Sequence, residues 1–229
     1  MKDVHGLSIS YQSVLNYASA LKPLFKYFVE TFPYELSGQL CGDETYIKIK
    51  GKWYYLTFFF DSEKKLILAH PISKNRDHVL AIEAINDALT KFQELPENLK
   101  LVVDGNPIYL LAQQFFAQND INFEVIQVIG LSNEDEVSKE YRPQKQIIER
   151  LNRTFKGSYR GTFGFGSHQG AEAFTTLFVT FFNFLRPHSA LDGHVPVKIQ
   201  ALCDAPNMPA RWVTLMKLAQ DKVLSLQAA

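Results

Sequence analysis

The chain has 229 residues, 46% of them apolar and 18 of them Phe, which is enough for one ordinary domain with a small flanking element and excludes global disorder. Its 24 basic and 24 acidic residues cancel, so any affinity for a polyanion has to come from local clustering. No stretch reaches the roughly 18 apolar residues of a membrane span, Met1-Lys2-Asp3-Val4-His5 lacks a signal-peptide core, and Cys41 and Cys203 suggest neither a disulfide framework nor a zinc site; a cytoplasmic protein is expected.

Residues 8 to 30 read as one or two short helices, with Ser8 and Ser10 as N-cap candidates and Leu21, Leu24, Phe25 and Phe28 at helical spacing. Thr31 to Ser37 reads as a linker. Thr45 to Lys50 alternates as a strand, Gly51-Lys52 is a hairpin turn, and Trp53 to Phe60 is an aromatic second strand, read as core rather than as a base-stacking platform. A polar turn over Asp61 to Lys65 leads into a third strand, Leu66 to Ile72, completing an antiparallel meander. Asp77 to Phe92 has the spacing of an amphipathic helix. Lys100 to Val103 is a buried strand, Asn106-Pro107 starts a helix running to about Gln118, and Phe123 to Ile129 is a further strand. A charged loop over 130–142 precedes a basic helix from about Gln144, and another helix covers about Gly170 to Phe184.

This order, β-β-β-α-β-α-β-α, predicts an α/β fold with a mixed five-stranded sheet flanked by helices, the ribonuclease-H-like arrangement, behind a short N-terminal helical segment. The expected division is residues 1–38 for that segment and its linker, 39–200 for the catalytic domain and 201–229 for a helical tail.

Three carboxylates fall at telling places in this order. Asp43 stands at the head of the first strand, Asp104 ends the strand Leu101-Val102-Val103, and Glu149 lies on the basic helix. Between Lys139 and Arg160 seven basic residues stand against two acids, a local excess of +5. Glu149, Asn152, Arg153 and Lys156 share one helix face, opposite a stripe of Ile147, Ile148, Leu151 and Phe155. Carboxylates beside phosphate-binding cations suit metal-assisted phosphoryl transfer. Each has a bland reading: Asp104-Gly105 is an ordinary turn pair, Glu149 a solvated helix residue, Asp43 a strand cap, and Glu44 competes with Asp43. Their joint occurrence on the right elements favours the site.

The stretch from about Gly42 to Pro196 resembles the DDE transposases of bacterial insertion sequences. The resemblance lies in Asp43-Glu44-Thr45-Tyr46-Ile47-Lys48-Ile49-Lys50-Gly51-Lys52-Trp53, Val103-Asp104-Gly105, Glu149-Arg150-Leu151-Asn152-Arg153-Thr154-Phe155-Lys156 and Phe182-Asn183-Phe184-Leu185-Arg186-Pro187-His188-Ser189-Ala190-Leu191. It implies an enzyme that binds terminal inverted repeats, nicks 3′ ends and joins them to target DNA, as a dimer or higher assembly associated with the nucleoid. Asp43, Asp104 and Glu149 match the catalytic and metal-binding triad, holding two Mg²⁺ or Mn²⁺ ions. Lys156 matches a DNA-contacting residue, and Lys145, Arg150, Asn152 and Arg153 belong to the expected DNA-binding face.

Two departures stand out. The 45-residue spacing from Asp104 to Glu149 exceeds the family's usual one, an excess expected in the loop Leu131 to Glu140. Gly6 to Val14 reads as only the turn and recognition helix of a helix-turn-helix. A catalytically inactive remnant that binds DNA or intact transposase is therefore the second reading, and a nuclease without joining activity the third. The six histidines have no zinc spacing, His188 reads as a local hydrogen-bonding residue, and the glycines from Gly161 to Gly170 as a flexible connector.

Overall fold

The computed structural model describes residue 6 and residues 8–129 and 135–227. Its centre is a mixed sheet of β1 (Gln39–Ile49), β2 (Lys52–Asp61), β3 (Leu66–Ala69), β4 (Ile72–Ser73), β5 (Lys100–Val103) and β6 (Glu124–Gln127). The order is β3-β2-β1-β5-β6, with β4 pairing β2; β1, β2 and β3 are antiparallel, while β5 and β6 run parallel to β1. With the helices described next, this is the ribonuclease-H-like arrangement. The two-residue β4, six strands in place of five, arises because Pro71 interrupts the stretch read as one third strand.

The meander closes where local chemistry demands it. Lys50 and Gly51, with φ of 49° and 75°, form the turn between β1 and β2, one residue earlier than the sequence suggests, because this kind of tight hairpin needs positive φ at both central positions. Asp61 is fully buried at the end of β2 and accepts from the Ser37 amide and hydroxyl and from the amides of Glu63 and Lys64. Four donors satisfy this carboxylate, which makes it a structural one.

The helices are α1 (Tyr11–Thr31), α2 (His78–Leu89), α3 (Ile108–Ala117), α4 (Glu136–Tyr159), α5 (His168–Phe184), α6 (Gln200–Cys203) and α7 (Met208–Gln227). Ser10 caps α1, which is one continuous helix despite Pro23, and Asp77 caps α2. The largest departure from expectation is α4. It starts at Glu136, capped by Asp135, and carries Pro143 in its interior, so part of the expected loop is helix. Proline usually marks a helix boundary, and that is where the sequence reading breaks off. The rest of that loop, Leu131 to Glu134, lies outside the described residues, as do most of residues 1–7.

One face of the sheet is sealed by α4 and α5, with Phe155 against Phe58 at 5.3 Å and Phe182 against Phe60 at 5.9 Å. The other is covered by α2, which lies over β2 and β3, and by α3, which reaches β6 and whose Tyr109 meets Phe59 at 6.2 Å. Outside α5 pack α1 and α7: Phe28 meets Phe184 at 5.3 Å, Phe25 meets Trp212 at 5.7 Å, and Phe25, Phe28 and Leu215 belong to the same buried core as the sheet. None of the helices is long and apolar enough to cross a membrane, among the described residues.

β1 outruns its parallel neighbour, since the β5 pairing ends at Cys41–Val102 while β1 continues to Ile49. Helix α4 fills that vacancy along the strand edge. The Lys48 amide donates to the Tyr159 hydroxyl at 2.7 Å, and the Lys156 ammonium donates to the Tyr46 carbonyl. Beyond them the stretch read as a flexible connector is pinned: Phe165 N–H donates to Lys48 O and Lys50 N–H to Phe165 O, both at 2.8 Å.

Candidate active site

The fold delivers two carboxylates to one point. Cys41 and Val102 are paired in parallel register, and two residues further along each strand stand Asp43 and Asp104. Gly42 is required for this placement: a Cβ there would come within 2.5 Å of the Phe59 ring. Carboxylate oxygens of Asp43, Glu44 and Asp104 all lie within 4.8 Å of one another. Alternation along β1 sends Asp43 towards α4 and Glu44 to the opposite face, so the group straddles the sheet.

Each acid has a cationic or amide partner. The Lys145 ammonium donates to Asp43 Oδ1 and the Asn152 amide to Oδ2, both at 3.0 Å. Arg76, in the connection between β4 and α2, donates to Glu44 Oε2 and to Asp104 Oδ2, both at 3.0 Å. The second oxygen of Asp104 accepts from the Asn106 amide, and the Asn106 side chain accepts from Ile108 N–H at the head of α3. Asp104 is therefore a turn-former and a member of the acidic group at once.

The Glu44 side chain is only 3% exposed. Burial would lower the basicity of Arg76, but the hydrogen bond and charge of Glu44 and the charge of Asp104 outweigh it and hold the guanidinium above its ordinary range. Below them the Tyr109 phenol is pushed well up, first by burial and then by the charge of Glu44.

Glu149 occupies the expected face of α4. Lys145, Glu149, Asn152 and Lys156 follow at intervals of four, three and four residues, and the residues on either side of Glu149 both hold Asp43. Its side chain is exposed and is not one of the three acids within 4.8 Å. Arg150 and Arg153 are exposed on α4. Lys156 is half-buried against the Tyr46 carbonyl, its pKa lowered by burial and then by Arg160, and stands 5.1 Å over the Tyr159 ring.

Two features escaped the sequence reading. Arg76 lies 32 residues from Glu44 and 28 from Asp104 with no local pattern to announce it. Glu44 was visible only as a rival to Asp43, whereas it belongs to the group together with Asp43. The donor set is all oxygen, with neither His nor Cys, and suits a hard cation such as Mg²⁺ or Mn²⁺.

A family model described as a DDE domain matches residues 39–186. No curated protein matches the chain. Among solved structures, the HTLV-2 integrase catalytic core domain in complex with magnesium aligns at 17% identity and a TM-score of 0.43, over 71% of this chain and 94% of that one. The catalytic core domain of BIV integrase aligns at 14% identity and 0.44, over 70% and 91%. The Mos1 strand transfer complex aligns at 11% and 0.38, over 94% and 61%.

Proposed function

This chain belongs to the DDE domain family of transposases, and on that premise we propose that Asp43, Asp104 and Glu149 form its catalytic, metal-binding triad. The enzyme is a polynucleotidyl transferase that cuts and joins DNA strands. The observation that carries the site reading is the meeting of Asp43 and Asp104, from adjacent parallel strands, within 4.8 Å. Glu149 supports it from its place between Lys145 and Asn152 on the helix that touches Asp43.

Asp43 and Asp104 would hold Mg²⁺ or Mn²⁺ together, with Glu149 completing the set. A pair of such ions, when bound, activates the attacking oxygen and stabilises the leaving one in line. The chain's own groups prepare the site. Asn152 fixes the Asp43 carboxylate, Arg76 and the Asn106 amide fix Asp104, and Lys145 balances charge at Asp43 until an ion takes that role. Glu44, buried against Arg76, is the counter-charge that keeps the guanidinium in place. Lys145, Arg150, Arg153 and Lys156 line one helix with positive charge for DNA phosphates, which suits terminal inverted repeats and target DNA. An assembly of two or more chains on DNA and a nucleoid location complete the proposal.

The test is strand cleavage and joining on labelled DNA carrying the element's ends, with Mg²⁺. Asp104→Asn and Glu149→Gln are expected to lower both steps by at least roughly a hundredfold while circular dichroism stays unchanged. Full activity in either variant would sink the triad. Cleavage without joining would leave a nuclease.

A further inference from the structure

The face of β1 and β2 that carries Glu44 runs on, exposed, to the hairpin turn. Along it Tyr46 and Lys48 follow Glu44 at every second position, and their partners across the ladder are Tyr55 and Trp53. At about 3.3 Å per residue, Tyr46 stands about 7 Å and Lys48 about 13 Å along the strand from Glu44. Tyr46 is 48% exposed and Trp53 57%. The Tyr46 ring lies 5.2 Å from Tyr55 and 6.3 Å from Trp53, and the Lys48 ammonium sits 4.7 Å over the indole. Elsewhere in the aromatic run Phe58 to Phe60 are buried, and the half-buried Tyr54 packs 6.1 Å from His168. The run thus divides into a core half and an outward half.

The outward half is charged as well as aromatic. Lys48 lies on the ring face and Lys50 in the turn at its end, and no acidic residue occurs from Thr45 to Phe60. Lysines alone would attract a phosphate backbone; contiguous exposed rings need a flat apolar partner besides. A second copy meeting this face would set lysines against lysines. A nucleic-acid strand supplies both complements, negative phosphates and flat bases. Aromatic platforms of this kind hold unpaired bases with little regard to sequence.

We propose that Tyr46, Tyr55 and Trp53 form a stacking platform for unpaired bases of the DNA strand whose phosphate lies at the carboxylates, with Lys48 and Lys50 taking the adjoining phosphates. This rests on the DNA-cutting reading of the site and adds the form of DNA it prefers: a duplex opened, or frayed, next to the cut.

The experiment uses the full chain without divalent metal, so that nothing is cut. The chain has two tryptophans, and Trp212→Phe leaves Trp53 as the only reporter. A duplex with a short single-stranded overhang should quench Trp53 emission and bind about tenfold more tightly than the blunt duplex. Trp53→Leu, which keeps an apolar strand residue without a ring, should abolish that preference and leave blunt binding within about twofold; Trp53→Phe should restore it. Blunt and overhang duplexes bound equally, with no quenching, would overturn the platform and leave the DNA reading standing. Binding of neither would overturn both. Self-association of the DNA-free chain that is lost in Trp53→Leu would overturn the platform in favour of a second copy.

Discussion

At the scale of single residues the site is a balance of charge. Three carboxylates within 4.8 Å are tolerable here because Lys145 and Arg76 reach into them. Removing Arg76 strands Glu44, 3% exposed, without a counter-ion. Arg76→Ala should therefore cost about 1–3 kcal/mol by urea unfolding, less than a fully buried pair because the guanidinium keeps some solvent contact; adding Glu44→Gln should recover much of the loss. Lys145 has the opposite effect on the ion. It holds the oxygen of Asp43 that a cation needs, so Lys145→Met should tighten Mn²⁺ binding by a few-fold to about tenfold in isothermal titration. Weaker binding in that variant would mean that the ammonium orients Asp43 rather than competing for it. The acids themselves were legible in the sequence, since each sits in a recognisable local string. Their counter-ions were not: Arg76 becomes a partner of Glu44 and Asp104 only through the crossover between β4 and α2.

At the scale of elements, the strands and helices followed from alternation, period and caps, and the failures came where a residue contradicts its usual use. Pro143 inside α4 hid the helix's first turns, and Lys50, with positive φ and a long side chain, hid the position of the hairpin turn. The packing of α5 on the edge strand β3 was also out of reach. Asn183, fully buried, accepts from Ile67 N–H and donates to Ile67 O, each at 2.9 Å, so a side-chain amide stands where another strand's backbone would. Asn183 appears in the sequence only within Phe182-Asn183-Phe184, with nothing to tie it to Ile67. Asn183→Leu leaves two buried backbone groups unpaired and should cost about 2–4 kcal/mol, read as a lowered urea midpoint, while Mn²⁺ binding at lower denaturant stays intact. Loss of metal binding with unchanged stability would contradict this structural role.

Over the whole molecule, two histidines contribute to the response to acid. The pKa of His70 is pushed down to about 4 by burial and then by Lys91 and Lys26, and that of His188 to about 4 by burial and then by Arg186. Both are neutral in the fold. An unfolded chain gives them ordinary values near 6.5, so it takes up protons that the native state refuses. Stability should fall as pH drops from about 6.5 towards 4. Urea midpoints at neutral and mildly acidic pH should show the decline, and His70→Gln should flatten it; an unchanged slope would remove His70 from the account. The shared core of α1, α5, α7 and the sheet makes this a property of one cooperative body. The way α4 and Phe165 seal the outer stretch of β1 has a consequence of its own. An unpaired strand edge recruits strands from neighbouring chains, and here the Lys48 and Lys50 amides and the Tyr46 and Lys48 carbonyls are already taken by Tyr159, Lys156 and Phe165. A strand added over Tyr46 to Lys50 would have to displace these bonds, so this margin of β1 is closed to a neighbouring chain.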